Sequence, residues 1–249
     1  MIKEMRYGEY NLYYCEECPQ MLELGKDIVD KKELNIFQEF KVTQRNYVVG
    51  IEYSNEKYIL KIPRNEQRIP QRKVQTLFKK GEAVTTLLNI NNLIEMGFEE
   101  FSRPLLAGVR RKRGMIEESF LVMEYEEGRR IEVKDIEKVV EFGKKLHRVG
   151  HYHGDFNVSN FIMVGDKLKV IDTQGKKYSF GSYRKHYETL TFANDNFINE
   201  QKLDGLKLFN YQKDFWYYLA YFVKNFKNNG VMMKFREYKR KLRNKGWKI

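Results

Sequence analysis

Strand-like spacing of the apolar residues dominates the first half of this chain and helical spacing the second, and that shift limits the folds open to it. "IFQEFKV", "YVVGIEY" and "KYILKIP" are rich in β-branched and aromatic residues and are separated by short polar turns at 43–46 and 54–56. They predict an antiparallel three-strand meander that ends at Pro63, because proline cannot donate to a ladder. Val74, Leu77, Phe78, Gly81, Val84 and Leu88 then recur at helical spacing and predict one amphipathic helix, stopped at Gly97. Two more strands, 105–109 and 120–124, flank the basic turn "RRKRG". Past Gly128 the period becomes helical through Val133, Ile136, Val139, Val140, Gly143, Leu146 and Val149. A short hairpin interrupts it ("FIMV", "GDK", "LKVID"), and helices follow, chiefly 211–226 and 231–247. Residues up to about Asn35 show little periodicity. Strands first and helices second predict an α+β, bilobal chain: a lobe over 1–127 with an antiparallel sheet and one main helix, and a mostly helical lobe over 128–249.

A chain of 249 residues, 42% hydrophobic, has enough apolar material for such a core. Its formal charge of +12 favours an anionic partner: nucleic acid, phosphorylated glycan, nucleotide or acidic membrane surface. No helix-turn-helix, RNA-recognition or zinc-finger pattern appears, so nucleic acid is not expected as a partner. "FWYYLAYFV" has half the length of a membrane span, and "MIKEMRYGEYNLYY" has no apolar signal-peptide core, so an integral membrane protein is not expected. Cys15 and Cys18 form a single CxxC with no second pair, which suits two thiols in a reducing cytosol better than a zinc site. Basic residues cluster at 61–80, at Arg110 to Arg113, and around a narrow stripe of Val231, Phe235, Tyr238 and Leu242. That last pattern either binds an anionic membrane surface or packs on the second lobe.

"HGDFNVSNF", with Asp172 eleven residues further on, carries the chemistry. Phosphoryl transfer needs a carboxylate to orient or accept the acceptor hydroxyl proton, and oxygen ligands for a magnesium ion that bridges phosphates. Asp155 suits the base; Asn160 and Asp172 suit the metal. Upstream, Lys61 closes "YILK" and suits nucleotide phosphates, with Glu82 as its partner on the following helix and Glu95 as the fallback.

Lys61, Glu82, "LVMEYEEG", "HGDFNVSN" and "VID" together resemble the protein-kinase-like fold, in order, over roughly residues 36–175. The resemblance implies ATP and Mg2+ as cofactors. It places Met123 behind the adenine, has the Glu124 carbonyl and the Glu126 amide pair with the adenine edge, and gives His153 a packing role. It also has departures. Gly154 stands where protein kinases carry Arg, "DTQG" replaces "DFG", and no "APE" segment occurs, so a protein acceptor is disfavoured. The phosphate-covering turn has only Gly50; Arg45 or the amides of residues 44–46 are the substitutes.

"YILKIPRNEQR", "FKKGEA", "EYEEG" and "HGDFNVSNF" leading to "IDTQGKK" are similar to the lipopolysaccharide core heptose kinase family. That similarity implies ATP-dependent phosphorylation of a heptose hydroxyl in the lipopolysaccharide inner core. The acceptor would be core oligosaccharide or a lipid-linked precursor, and the enzyme cytoplasmic, peripheral on the cytosolic face of a Gram-negative inner membrane. The alternatives are a kinase of another small molecule or glycan, or a non-catalytic kinase-like binding protein.

Overall fold

The computed structural model describes Met1 to Lys241 apart from Gln44, Arg45, Asn65, Gln67, Arg68, Phe180, Val231, Met233, Phe235, Arg236, Lys239 and Arg240; positions 242–249 lie outside the description. The described chain forms two compact units that divide between Tyr125 and Glu126.

The first unit is a seven-stranded antiparallel sheet. Its strands are β1 (Ile2–Tyr7), β2 (Tyr10–Cys15), β3 (Asn35–Val42), β4 (Asn46–Tyr53), β5 (Glu56–Pro63), β6 (Pro104–Lys112) and β7 (Met115–Glu124), in the spatial order β1-β2-β6-β7-β5-β4-β3. The expected meander is β3 to β5. Its second turn is Ser54-Asn55, both at positive φ, the conformation that two-residue hairpins need. Strand alternation sorts the side chains onto two faces. Leu60, Leu106, Phe120 and Val122 turn to one side and pack with Met21 and Leu24 of helix α1 (Gln20–Val29). Ala107, Val109, Ile116 and Leu121 turn to the other and pack under Ala83, Val84 and Leu87.

Three expectations for this unit need correction. The first 30 residues, whose sequence shows little periodicity and predicts no element, form β1, β2 and α1. β1 is an edge strand whose central residues are exposed, so no apolar alternation marks it, and its backbone ladder to β2 holds it. The single helix expected from Val74 to a stop at Gly97 is two: α2 (Pro70–Gln75) and α3 (Glu82–Glu95), with a 3-10 turn, Thr76–Phe78, between them. Gly81 breaks the helix. Its φ is +94°, and a Cβ there would lie 2.3 Å from Ile116 Cδ1. Val74, Leu77 and Phe78 are therefore exposed instead of joining the core stripe, while Thr76 is buried and accepts from the Ile116 amide at 2.9 Å. The third correction concerns the basic turn. β6 and β7 run further than expected, leaving Arg113-Gly114 as the turn. Arg110 pairs with Glu9 at 3.0 Å and Glu118 at 2.7 Å, and Arg111 donates to the carbonyls of Thr76, Lys79 and Gly114. These two guanidiniums are spent inside the unit and do not form a free patch.

The second unit holds β8 (Arg129–Arg130), α4 (Ile136–Arg148), β9 (His151–Tyr152), β10 (Phe161–Val164), β11 (Lys167–Val170), β12 (Lys176–Lys177), α5 (Tyr183–Ala193), α6 (Asn196–Glu200), α7 (Gly205–Phe209) and α8 (Phe215–Asn228). The α4 stripe is buried from Ile136 to Leu146 as its periodicity predicts; Val133 lies in a preceding 3-10 turn and is exposed, and Val149, the C-cap, is half-buried. Phe156, Phe192 and Phe209 pack ring on ring within 5.8 Å. Gly143 admits them to α4, since a Cβ there would lie 2.7 Å from Phe156 Cζ. The helix expected over 211–226 starts later, at Phe215, where the Asp214 carboxylate accepts from the Tyr217 amide at 2.9 Å and caps α8. α5 falls in the stretch after the hairpin that reads as helical, without bounds of its own in the sequence reading. Of the apolar stripe expected on a final basic helix, Val231, Phe235 and Leu242 lie outside the described residues, and Tyr238 is exposed.

Candidate active site

The nine residues of "HGDFNVSNF" alternate between anchors and tips. His153, Phe156, Val158 and Phe161 are buried, whereas Asp155 and Ser159 are exposed. The rings of Phe156 and Phe161 meet at a tilt with centroids 5.1 Å apart, and the His153 ring lies 5.3 Å from Phe161. Each buried phenylalanine contributes about 1.5–3 kcal/mol, so the loop is held from beneath by its apolar members while its polar members face outward. His153 has the packing role assigned to it.

The polar groups are held by a second set of contacts. Asn157 Nδ2 donates to Asp155 Oδ1 at 2.5 Å and fixes the carboxylate. Asn160 Nδ2 donates to the Asp155 carbonyl at 2.7 Å, which spends the amide nitrogen and leaves Oδ1 as the acceptor end. The Asn160 carbonyl accepts from the Ile171 amide at 3.0 Å, so Asp172 follows directly from a residue tied to Asn160. Hairpin β10–β11 sets this register: Phe161 pairs with Val170. Beyond Asp172, Thr173 Oγ1 donates to the His153 carbonyl at 2.9 Å and accepts from Gly175 N at 3.1 Å. The threonine of "DTQG" thus ties the acidic turn back to the loop.

Two acids that sequence reasoning missed support the arrangement. Glu188, on α5, is buried. Its carboxylate accepts from the His153 amide at 3.0 Å, from the Gly154 amide, and lies 3.1 Å from His147 Nε2. Asp195 accepts from the Val158 amide at 3.2 Å and also caps α6 at Phe197. A glutamate inside "YETLTF" has no neighbour in sequence that reveals it; the folded packing alone brings it under the loop. The loop's strand β10 also pairs with β8, and Arg129 of β8 clamps Asp135 through two hydrogen bonds at 2.6 and 2.9 Å. Arg129, with the Glu132 amide, holds the Asp135 carboxyl well below its usual range, at about 2.

The remaining expected residues belong to the first unit, except Glu126. Lys61 lies on β5 directly opposite Val48 and Leu121. Leu121 belongs to the face packed under α3, and opposed residues share a face, so Lys61 projects on the α3 side. Glu82 is the first residue of α3, and its amide donates to both carboxylate oxygens of Glu66 at 3.0 Å. The fallback Glu95 is the last residue of the same helix. Met123 is buried on β7 between Ile59 and Pro104. The Glu124 carboxylate accepts from the Arg103 amide at 3.1 Å, and the Glu126 carboxylate pairs with Lys169 at 2.9 Å. Both side chains are engaged within the protein, which suits positions whose expected role is main-chain. Arg45 lies outside the described residues. Gly50 sits inside β4, and its missing Cβ makes room for the Phe37 ring, 2.4 Å from where that Cβ would be. Its glycine serves packing within the sheet.

Among the described residues, no group of three or more His, Cys, Asp or Glu side chains could hold a metal ion. Asn160 and Asp172 carry oxygen donors of the hard type that magnesium takes together with phosphates.

A family model described as "Lipopolysaccharide core biosynthesis protein (WaaY)" matches residues 1–234. Among solved structures, the chain is similar to "WaaP in complex with acyl carrier protein" at 17% identity and a TM-score of 0.56, over 94% of this chain and 98% of that one. A lower likeness, 12% identity and a TM-score of 0.44 over 66% of this chain and 74% of that one, is to the M. tuberculosis PknI kinase domain. The WaaP likeness runs through both units and carries the protein-kinase-like fold expected from the motif order.

Proposed function

The chain belongs to the lipopolysaccharide core biosynthesis protein (WaaY) family and is a phosphotransferase, and we propose that it transfers the γ-phosphoryl group of ATP to a heptose hydroxyl of the inner core. The observation that carries this reading is the fixed placement of Asp155, Asn157 and Asn160 in one loop, hydrogen-bonded to the strand end that presents Asp172. Asp155 orients the acceptor hydroxyl and takes its proton as the oxygen–phosphorus bond forms and the bond to ADP breaks. Asn157 keeps that carboxylate aimed. Asn160 and Asp172 would hold magnesium, which would screen the phosphate charge. Lys61, steadied by Glu82, contacts the phosphates, and the main chain at Glu124 and Glu126 takes the base in front of Met123. Arg45 or its neighbouring amides cover the phosphates. The acceptor is core oligosaccharide or its lipid-linked precursor, met at the cytosolic face of the inner membrane. The net charge of +12 supports such an anionic acceptor.

Mass spectrometry of core oligosaccharide from cells with and without the gene tests the reading. Loss of one phosphate from a heptose is expected, restored by the wild-type gene and not by Asp155→Asn. An unchanged phosphate count rejects the heptose acceptor. Restoration by Asp155→Asn rejects the base, whose removal should slow turnover by about 10²–10⁴-fold.

A further inference from the structure

α8 has two unlike faces. Its inner face is fully used: Trp216 lies over Gly181, where a Cβ would come within 2.3 Å of the indole, and Tyr217 meets His186 edge-on at 5.8 Å. Ala220 is completely buried, and Lys224 donates to Thr191 Oγ1 at 3.3 Å. The outer face carries Phe215, Tyr218, Phe222 and Phe226, at spacings of three, four and four residues, each 53–70% exposed. Tyr221 lies beside them, also exposed, and Phe222 and Phe226 stack at 6.2 Å. A soluble helix normally turns charged or polar residues outward. Here the outward stripe is aromatic over about 17 Å of helix, and a contiguous apolar patch of this kind marks a surface that something else covers.

We propose that this aromatic stripe docks the protein on an anionic bilayer, α8 lying flat in the interface with its rings among the headgroups. The inference rests on the membrane location proposed above and not on the transfer chemistry. Three observations favour a bilayer. No described helix is long and apolar enough to cross a membrane, so an in-plane contact is the available geometry. Aromatic side chains, tyrosine included, partition to the membrane–water interface, where an apolar ring and a polar tip are both accommodated. The sequence just beyond the helix, 229–249, contains eight Lys or Arg against one acid, Glu237. Lys234 and Lys241 are exposed there. A second copy seated on the same stripe in a two-fold dimer would bring these like charges together, whereas anionic headgroups neutralise them.

The test is sedimentation of the full-length protein, without nucleotide or acceptor, with vesicles of phosphatidylethanolamine containing one quarter phosphatidylglycerol. The wild type is expected to partition onto them, and to do so less as salt rises. Phe222→Ser combined with Phe226→Ser is expected to reduce partitioning about tenfold or more, with the circular dichroism and unfolding midpoint unchanged because both rings point outward. Three results overturn the inference: no wild-type partitioning, partitioning unaffected by the double substitution, or a solution dimer that the double substitution dissociates. Phosphate transfer plays no part in the readout, so a failed acceptor assignment leaves this result standing.

Discussion

At the residue scale, the loop separates two kinds of acid. Asp155 is exposed, and its carboxylate accepts from Asn157 Nδ2 at 2.5 Å. Glu188 is buried and anchors two backbone amides and a histidine. Removing Glu188 leaves those donors unsatisfied in the interior, whereas changing Asp155 leaves nothing buried without a partner. Glu188→Ala is therefore expected to cost about 3 kcal/mol in urea unfolding and to lower turnover as the loop loosens. Asp155→Asn should slow turnover by about 10²–10⁴-fold with stability within about 0.5 kcal/mol of wild type. Equal stability of the two variants would show that Glu188 does not carry the loop.

At the element scale, β8 and the turn before α4 are joined through Asp135, whose carboxylate accepts from Arg129 and from the Glu132 amide. Its native pKa of about 2 lies below the ordinary value of 3.8. As pH falls, the unfolded chain takes up this proton first. The clamp's stabilisation is therefore complete above the ordinary value and is lost as the pH falls through about 2. Unfolding midpoints of wild type and Asp135→Asn should converge across that window and stay apart above it. A constant gap would mean that the clamp does not titrate. The element scale is also where local sequence misled: Val74, Leu77 and Phe78 have helical spacing with Val84, yet Gly81 at positive φ cuts the pattern in two.

At the scale of the whole molecule, each unit has its own core, and the two cysteines report on the first. Cys15 is fully buried between the sheet and α1, and burial pushes its thiol up to about 11. Cys18 is only partly buried. With a thiol reagent at mildly alkaline pH, one equivalent should react quickly at Cys18. The second, at Cys15, should follow at the rate at which the first unit unfolds. Two equally fast equivalents would show that this core opens readily.

Much of the fold was legible because it rests on local rules. The β3 to β5 meander follows from residue type and turn chemistry, α4 from its 3.6-residue period, and the order of Lys61, Asp155, Asn160 and Asp172 from spacing along the chain. Those features need only neighbours within a few residues. The tertiary structure alone decided that an edge strand without alternation pairs with β2 and that Gly50 yields its space to Phe37. It also brought Glu188, 33 positions after Asp155, beneath the loop that presents that carboxylate. Such contacts join residues distant in sequence, and their free energy comes from burial and hydrogen bonding that exist only once the elements have packed.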